Sequence, residues 1–175
     1  MAKRSKYNIE LISAALAGQT AGVHIAAKKG ADVNFVDTEM TTPLMEAALQ
    51  GHVECTRALI QLGATVNLTT RDGRTALHAA VSSGELQTTK ILLDHGALAN
   101  AKDADGTSPL HVAAEAGDAR LVKCLLDAGA YPLTFDKRGM TPLRLAKDED
   151  QCAVIPLLQE AEREARGAEH GASPA

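Results

Sequence analysis

Tryptophan is missing from this chain, and only Tyr7, Phe35, Tyr131 and Phe135 supply aromatic rings. With so few rings the core has to be packed from Ala, Leu, Ile and Val, and small, branched packing suits closely approaching helices better than a β-sandwich. Cysteine is scarce too. Cys55, Cys124 and Cys152 are odd in number, far apart and contain no C-x-x-C, so they read as reduced thiols of a cytoplasmic, or alternatively nuclear, protein. No stretch approaches the run of about 18 apolar residues that would cross a bilayer. The opening "MAKRSKYNIELISAALAG" is basic, but Asn8, Glu10 and Ser13 interrupt its apolar part, which is too polar for a signal peptide. Positive charge is not in excess either: the formal net charge of −4 argues against non-specific binding to nucleic acid. H-E-x-x-H, G-x-S-x-G, P-loop and G-x-G-x-x-G patterns are all lacking, so no motif points to catalysis.

What the chain does have is period. Its 175 residues are 45% apolar, enough for one domain with a substantial core. Gly30, Gly63, Gly96 and Gly129 fall 33 residues apart, and Gly18, Gly51, Gly84 and Gly117 repeat the spacing. Leu44, Leu77, Leu110 and Leu143 form a third ladder, and Ala14, Ala47, Ala80, Ala113 and Ala146 a fourth. Within each period Thr42, Thr75, Ser108 or Thr141 stands where a hydroxyl caps a helix. Pro43, Pro109 and Pro142 follow at the first helical position, where a missing N–H does no harm. Leu110, Ala113 and Ala114 show the i, i+3, i+4 spacing of one buried helix face, ended by Gly117. A second helix carries Leu121, Val122, Leu125 and Leu126 to Gly129, and a polar link with Asp105-Gly106 at a hairpin tip leads onward. Neither helix is long enough to stand alone, so stacking must supply the stability.

The segments "TTPLMEAALQGHVECTRALIQLGATVN", "TALHAAVSSGELQTTKILLDHGALAN" and "SPLHVAAEAGDARLVKCLLDAGA" resemble the ankyrin repeat, with its T-P-L-H, A-A, G-H and L-L-x-x-G-A signatures. The resemblance covers roughly residues 5–163 and implies an all-α solenoid of stacked helix pairs with projecting β-hairpin loops. It divides the chain into a short extension (1–7), five repeats (8–36, 37–69, 70–102, 103–135 and 136–163) and a flexible tail (164–175). It further implies a monomeric protein-binding module with no catalysis and no cofactor. The first and last repeats depart from the pattern with polar residues, as capping repeats do. Met40 stands where Gly73, Gly106 and Gly139 sit in the later loops, so the first hairpin is expected to be strained or differently shaped. Leu133 replaces the Asn of positions 34, 67 and 100, which puts the last hairpin in question as well. Pro156 is expected to delay or kink the final helix.

His78 and His111 share one register, and helices stacked about 8–10 Å apart cannot bring them onto one metal ion. The resemblance assigns them instead to the corner between loop and helix. It also places partner contacts on the loop tips and the exposed face of each first helix. The tips offer Thr38, Glu39 and Met40; Arg71, Asp72 and Arg74; Lys102, Ala104 and Asp105; and Phe135, Lys137, Arg138 and Met140. The helix face offers Leu16, Leu49, Gln50, Ser82, Ser83 and Glu115, with Asp148 and Glu149 beyond. Leu16 and Leu49 either anchor a partner or pack between repeats. A module of this kind either scaffolds its partner or acts as a regulatory or inhibitory subunit that masks a partner enzyme's site; one surface serves both.

Overall fold

The computed structural model describes residues 2–171, with side chains over 6–168. Its ten helices are α1 (Ala2–Leu16), α2 (Thr20–Lys28), α3 (Pro43–Leu49), α4 (Val53–Gln61), α5 (Ala76–Ser82), α6 (Leu86–Asp94), α7 (Pro109–Glu115), α8 (Ala119–Asp127), α9 (Pro142–Asp148) and α10 (Ile155–Gly171). They fall into two compact units, Met1–Leu98 and Ala99–Ala175. In the first unit α1, α3 and α5 pack in one row, α2, α4 and α6 in another, and each helix packs on its own pair-mate. The second unit repeats the plan with α7 and α9 in one row and α8 and α10 in the other.

Helices α3, α5, α7 and α9 have seven residues each, too few to persist in water alone. Their apolar faces explain why they form. Leu44, Ala47, Ala48, Leu77, Ala80, Val81, Leu110, Ala113 and Ala114 are each no more than 1% exposed. Every fully buried leucine of such a face contributes roughly 2 kcal/mol against the entropy of ordering it. Thr42 starts α3 by accepting the Met45 N–H on Oγ1 at 3.2 Å, and Thr141 does the same for Arg144 at 3.3 Å. The glycine register that ends these helices has φ near +70° (Gly18 67°, Gly51 67°, Gly117 69°), and in the last repeat Asp150 holds it at 53°. The start of the last second helix is shifted to Ile155, which leaves Pro156 in the first turn where no N–H partner is needed.

Both ends are more helical than the repeat pattern implies. Helix α1 begins at Ala2, within the segment read as an extension, and α10 continues through residues 164–171 to Gly171. An Arg166–Glu162 pair at 3.4 Å, one turn apart, supports that continuation. Met1 and residues 172–175 lie outside the described residues.

The loops between repeats are tight turns, and no β-strand occurs among the described residues. Each is closed by two backbone bonds: Asp37 N–H to Thr41 O and Met40 N–H to Asp37 O, both at 3.1 Å; Thr70 to Arg74 and Gly73 to Thr70, both at 2.9 Å; Asp103 to Thr107 and Gly106 to Asp103, both at 3.0 Å; and Asp136 to Met140 at 3.1 Å with Gly139 to Asp136 at 3.0 Å. A five-residue turn is too short for a ladder. Of the two outcomes expected for the first turn, strain or a different shape, it shows the strain: Met40 has φ 61°, beside 75°, 75° and 73° at Gly73, Gly106 and Gly139. Asp37 holds it there by accepting the Glu39 and Thr41 N–H groups on Oδ1, each at 2.9 Å. The last turn keeps the shape too, because Asp136 Oδ1 accepts from Arg138 at 2.9 Å and Met140 at 2.8 Å. Met40→Gly is expected to stabilise the chain by about 1 kcal/mol, raising Tm by about 2–4 °C in a thermal melt.

What Leu133 gives up is a different contact. Asn67 donates from Nδ2 to Gly96 O at 2.9 Å and accepts the Leu98 N–H at 3.0 Å, bracing the next loop. Asn34 makes the same pair of bonds to Gly63 and Thr65, and Asn100 to Gly129 and Tyr131. The residues that an asparagine at 133 would brace, 162–164 by the same spacing, lie inside α10 rather than in a loop.

Candidate binding surface

The surface is set by the corner that joins each loop to its helix. His111 is fully buried. Its Nδ1 lies 3.1 Å from the Ser108 N–H, which only donates, and 2.8 Å from Ser108 Oγ. Nδ1 is therefore the bare nitrogen, and Nε2 carries the proton that it donates to Met140 O at 3.0 Å. The imidazole ties the start of α7 to the next turn. Burial holds its pKa below the ordinary value, outweighing the Met140 carbonyl that favours the cation. In the equivalent corner His78 Nδ1 receives the Thr75 N–H at 3.2 Å. Met45, in the same register, takes the Thr42 N–H only weakly on sulfur, at 3.5 Å.

The far ends of α1 and α7 are capped by side chains of the following repeat. His52 Nε2 lies 3.0 Å from Leu16 O, and Gln151 Nε2 donates to Glu115 O at 2.9 Å. Neighbouring turns also join directly, Arg71 N–H to Glu39 O at 3.2 Å and Lys137 N–H to Asp105 O at 2.9 Å. The turn tips are thus fixed in position before anything docks on them.

On this frame the residues read as contacts stand outward. Leu16 is 46% exposed, Leu49 40%, Met40 45% and Phe135 59%. Thr38, Glu39, Gln50, Arg71, Asp72, Ser82, Ser83, Ala104, Asp105, Glu115 and Lys137 are exposed as well, and Arg74 and Met140 are half-buried. The structure brings Leu49 and Arg74 together on a groove of about 170 Å³, whose walls include Thr41, Met45, Glu46 and Thr70. Lys102 and Arg138 are exposed but already engaged: Lys102 Nζ donates to Phe135 O at 2.9 Å, and Arg138 Nε meets Asp136 Oδ2 at 3.0 Å.

A larger cleft was missed by sequence reasoning. It measures about 540 Å³ and lies between α1 and the first turn, lined by Ile9, Ile12, Phe35, Val36, Asp37 and Thr38, with Ser13 between. Of these only Thr38 stands out in the sequence. The signal was available by register. Ile9 occupies the position of the capping residue Thr42, and Ile12 the position of Met45, His78 and His111. Because α1 begins a full turn or more before that capping register, Ile9 projects beside the turn and is 60% exposed. Asp37 on the cleft wall and Glu46 on the smaller groove feel each other: burial, and then the Asp37 charge, raise the Glu46 pKa.

Among the described residues no set of three or more His, Cys, Asp or Glu side chains could hold a metal ion. The described cysteines are unlinked: Cys55 is buried 3.3 Å from Thr20 Oγ1, Cys124 is half-buried and Cys152 is exposed. No helix of the described residues is long and apolar enough to cross a membrane.

Comparison with protein families agrees with this geometry. A family model described as ankyrin repeats (3 copies) matches residues 11–103, and one described as ankyrin repeats (many copies) matches residues 92–146. No curated protein matches the chain.

Proposed function

The chain belongs to the ankyrin repeat family, whose members are in general protein–protein interaction modules, and from that premise we propose that it is a non-enzymatic module binding one partner protein through its turn tips and first-helix face. The observation that carries this reading is the exposure of Leu49, Met40 and Leu16 on turns and helices that are already locked by their own hydrogen bonds. Large apolar side chains held in water by a rigid frame lose little entropy on docking and gain the burial. The partner then supplies an apolar side chain to the Leu49 and Met40 region, and basic groups to Glu115 and Asp148.

Affinity capture with the full chain as bait, beside a Leu49→Asp, Met40→Ser, Arg74→Glu variant, tests this. Recovery of the partner is expected to fall at least tenfold, roughly the effect of losing one well-packed anchor. Equal recovery, with the variant's circular dichroism unchanged, overturns the surface. The same capture distinguishes a scaffold from an inhibitory subunit, because a masked enzyme loses activity when the chain is added back.

A further inference from the structure

Among the described residues α9 packs on α7 and α10, and two of the side chains it leaves uncovered are cations. Arg144 stands in the register of His78 and His111, and Lys147 in that of Ala48, Val81 and Ala114. In the earlier repeats these positions are buried; here both side chains are exposed. They rim a groove of about 310 Å³ whose apolar part is Phe135, 59% exposed, and Leu143. A second groove of about 310 Å³ adjoins it, sharing Leu143, Glu162 and Arg166 and adding Arg163 from α10. Glu162 is the one acid on either wall, and it is already taken by Arg166 at 3.4 Å and by the Thr141 hydroxyl at 3.3 Å. Among the described residues Arg144, Lys147 and Arg163 have no ion-pair partner, in a chain whose net charge is −4.

Keeping a terminal repeat soluble requires polar side chains but no particular sign. A lining in which Arg144, Lys147, Arg163 and Arg166 face the single acid Glu162, around an exposed phenylalanine, has a narrower fit. We infer that the groove formed by Phe135, Leu143, Arg144, Lys147, Arg163 and Arg166 docks an acidic peptide segment of a partner protein, with an apolar side chain on Phe135 and Leu143 and carboxylates flanking it. Single-stranded nucleic acid or an anionic lipid surface would also meet the cations and cover Phe135, but the chain's net charge of −4 opposes an extended polyanion more than a short acidic segment. This site shares no residue with the groove around Leu49, Glu46 and Arg74, whose single acid and single base leave it without an excess of either sign.

The test uses the full chain and a short fluorescein-labelled peptide with one phenylalanine between glutamates, read by anisotropy. Matched peptides carry glutamine or lysine in place of glutamate. The acidic peptide is expected to bind, to weaken roughly tenfold in an Arg144→Glu, Lys147→Glu chain, and to weaken further with added salt. The glutamine and lysine peptides are expected to bind more weakly or not at all. Arg163→Glu, on the other helix, gives an independent readout should the double variant fold poorly. In the wild type, peptide-induced amide shifts are expected within residues 135–147 and 159–166. Absence of binding to the acidic peptide, indifference to all three substitutions, or shifts located elsewhere overturns the inference. So does binding of phosphatidylserine vesicles or single-stranded DNA in preference to the peptide. The Leu49→Asp, Met40→Ser, Arg74→Glu chain is expected to retain the peptide, so either site can fail without the other.

Discussion

Replacing His111 by leucine is expected to destabilise the protein by about 2–4 kcal/mol, although leucine fills nearly the same space. The loss comes from what the ring leaves behind. The buried Ser108 N–H and hydroxyl would each lose a partner, and the carbonyl of half-buried Met140 would lose its donor. Each buried polar group left unsatisfied costs about 1–3 kcal/mol, and relaxation of the turn recovers part of that. The same site has a pH signature. Burial keeps the folded-state pKa of His111 below its ordinary value of 6.5, so protonation favours the unfolded chain. The contribution of the neutral ring is fully present above that value and is lost as the pH falls through it toward the lowered folded-state pKa. Urea denaturation at pH 8 and at pH 5.5 should show the wild type losing more stability on acidification than the leucine variant. Equal losses would mean that the ring is not held neutral by its corner.

Two leucines ten positions apart separate frame from surface. Leu59 of α4 is completely buried, in a helix packed on α2, α3 and α6. Leu59→Ala is expected to cost about 3–5 kcal/mol, the transfer of the lost methyl groups plus the cavity they leave. A stack responds strongly to such a change because the contacts on both sides of one helix weaken together. Leu49, 40% exposed, keeps much of its surface in water whether or not it is truncated. Leu49→Ala is therefore expected to change stability by less than about 1 kcal/mol, while recovery of the partner falls. Urea midpoints of the two variants, read beside the capture assay, decide it. A large stability loss at Leu49 would make it a packing residue between repeats.

Met40 joins the two concerns. A left-handed backbone at a methionine is a strain that glycine relieves in the three later turns. Met40→Gly is thus expected to raise stability and lower partner recovery at once, as happens where an exposed anchor is kept at a structural cost.

Much of this was legible in the residue string because the architecture is periodic. Glycine ladders marked where helices end, hydroxyls marked where they start, and the Leu and Ala ladders marked the buried faces. The corner role of His111 was implied by the family resemblance, once its register had placed it in the repeat. Other features were harder to read. Asn34, Asn67 and Asn100 also form a ladder, but an exposed asparagine in a turn-rich link looks like any turn residue until its bonds to the following loop are seen. Ile9 and Ile12 looked like ordinary members of a weak first repeat, and their exposure depends on α1 starting earlier than the other first helices. Arg144 and Lys147 looked like the polar marks of a terminal repeat, without any indication that α10 adds Arg163 and Arg166 to the same groove.

The sequence alone determined the repeat, its helix pairs and the positions that had to be buried, since each of these depends on neighbours at fixed separations along the chain. Tertiary structure decided which outward residues share a cleft, which cations are already paired, and that Met40 adopts the glycine backbone rather than reshaping its turn. Those outcomes depend on distances between segments some thirty residues apart and on the local hydrogen bonds that hold a turn, and neither quantity is carried by composition or spacing.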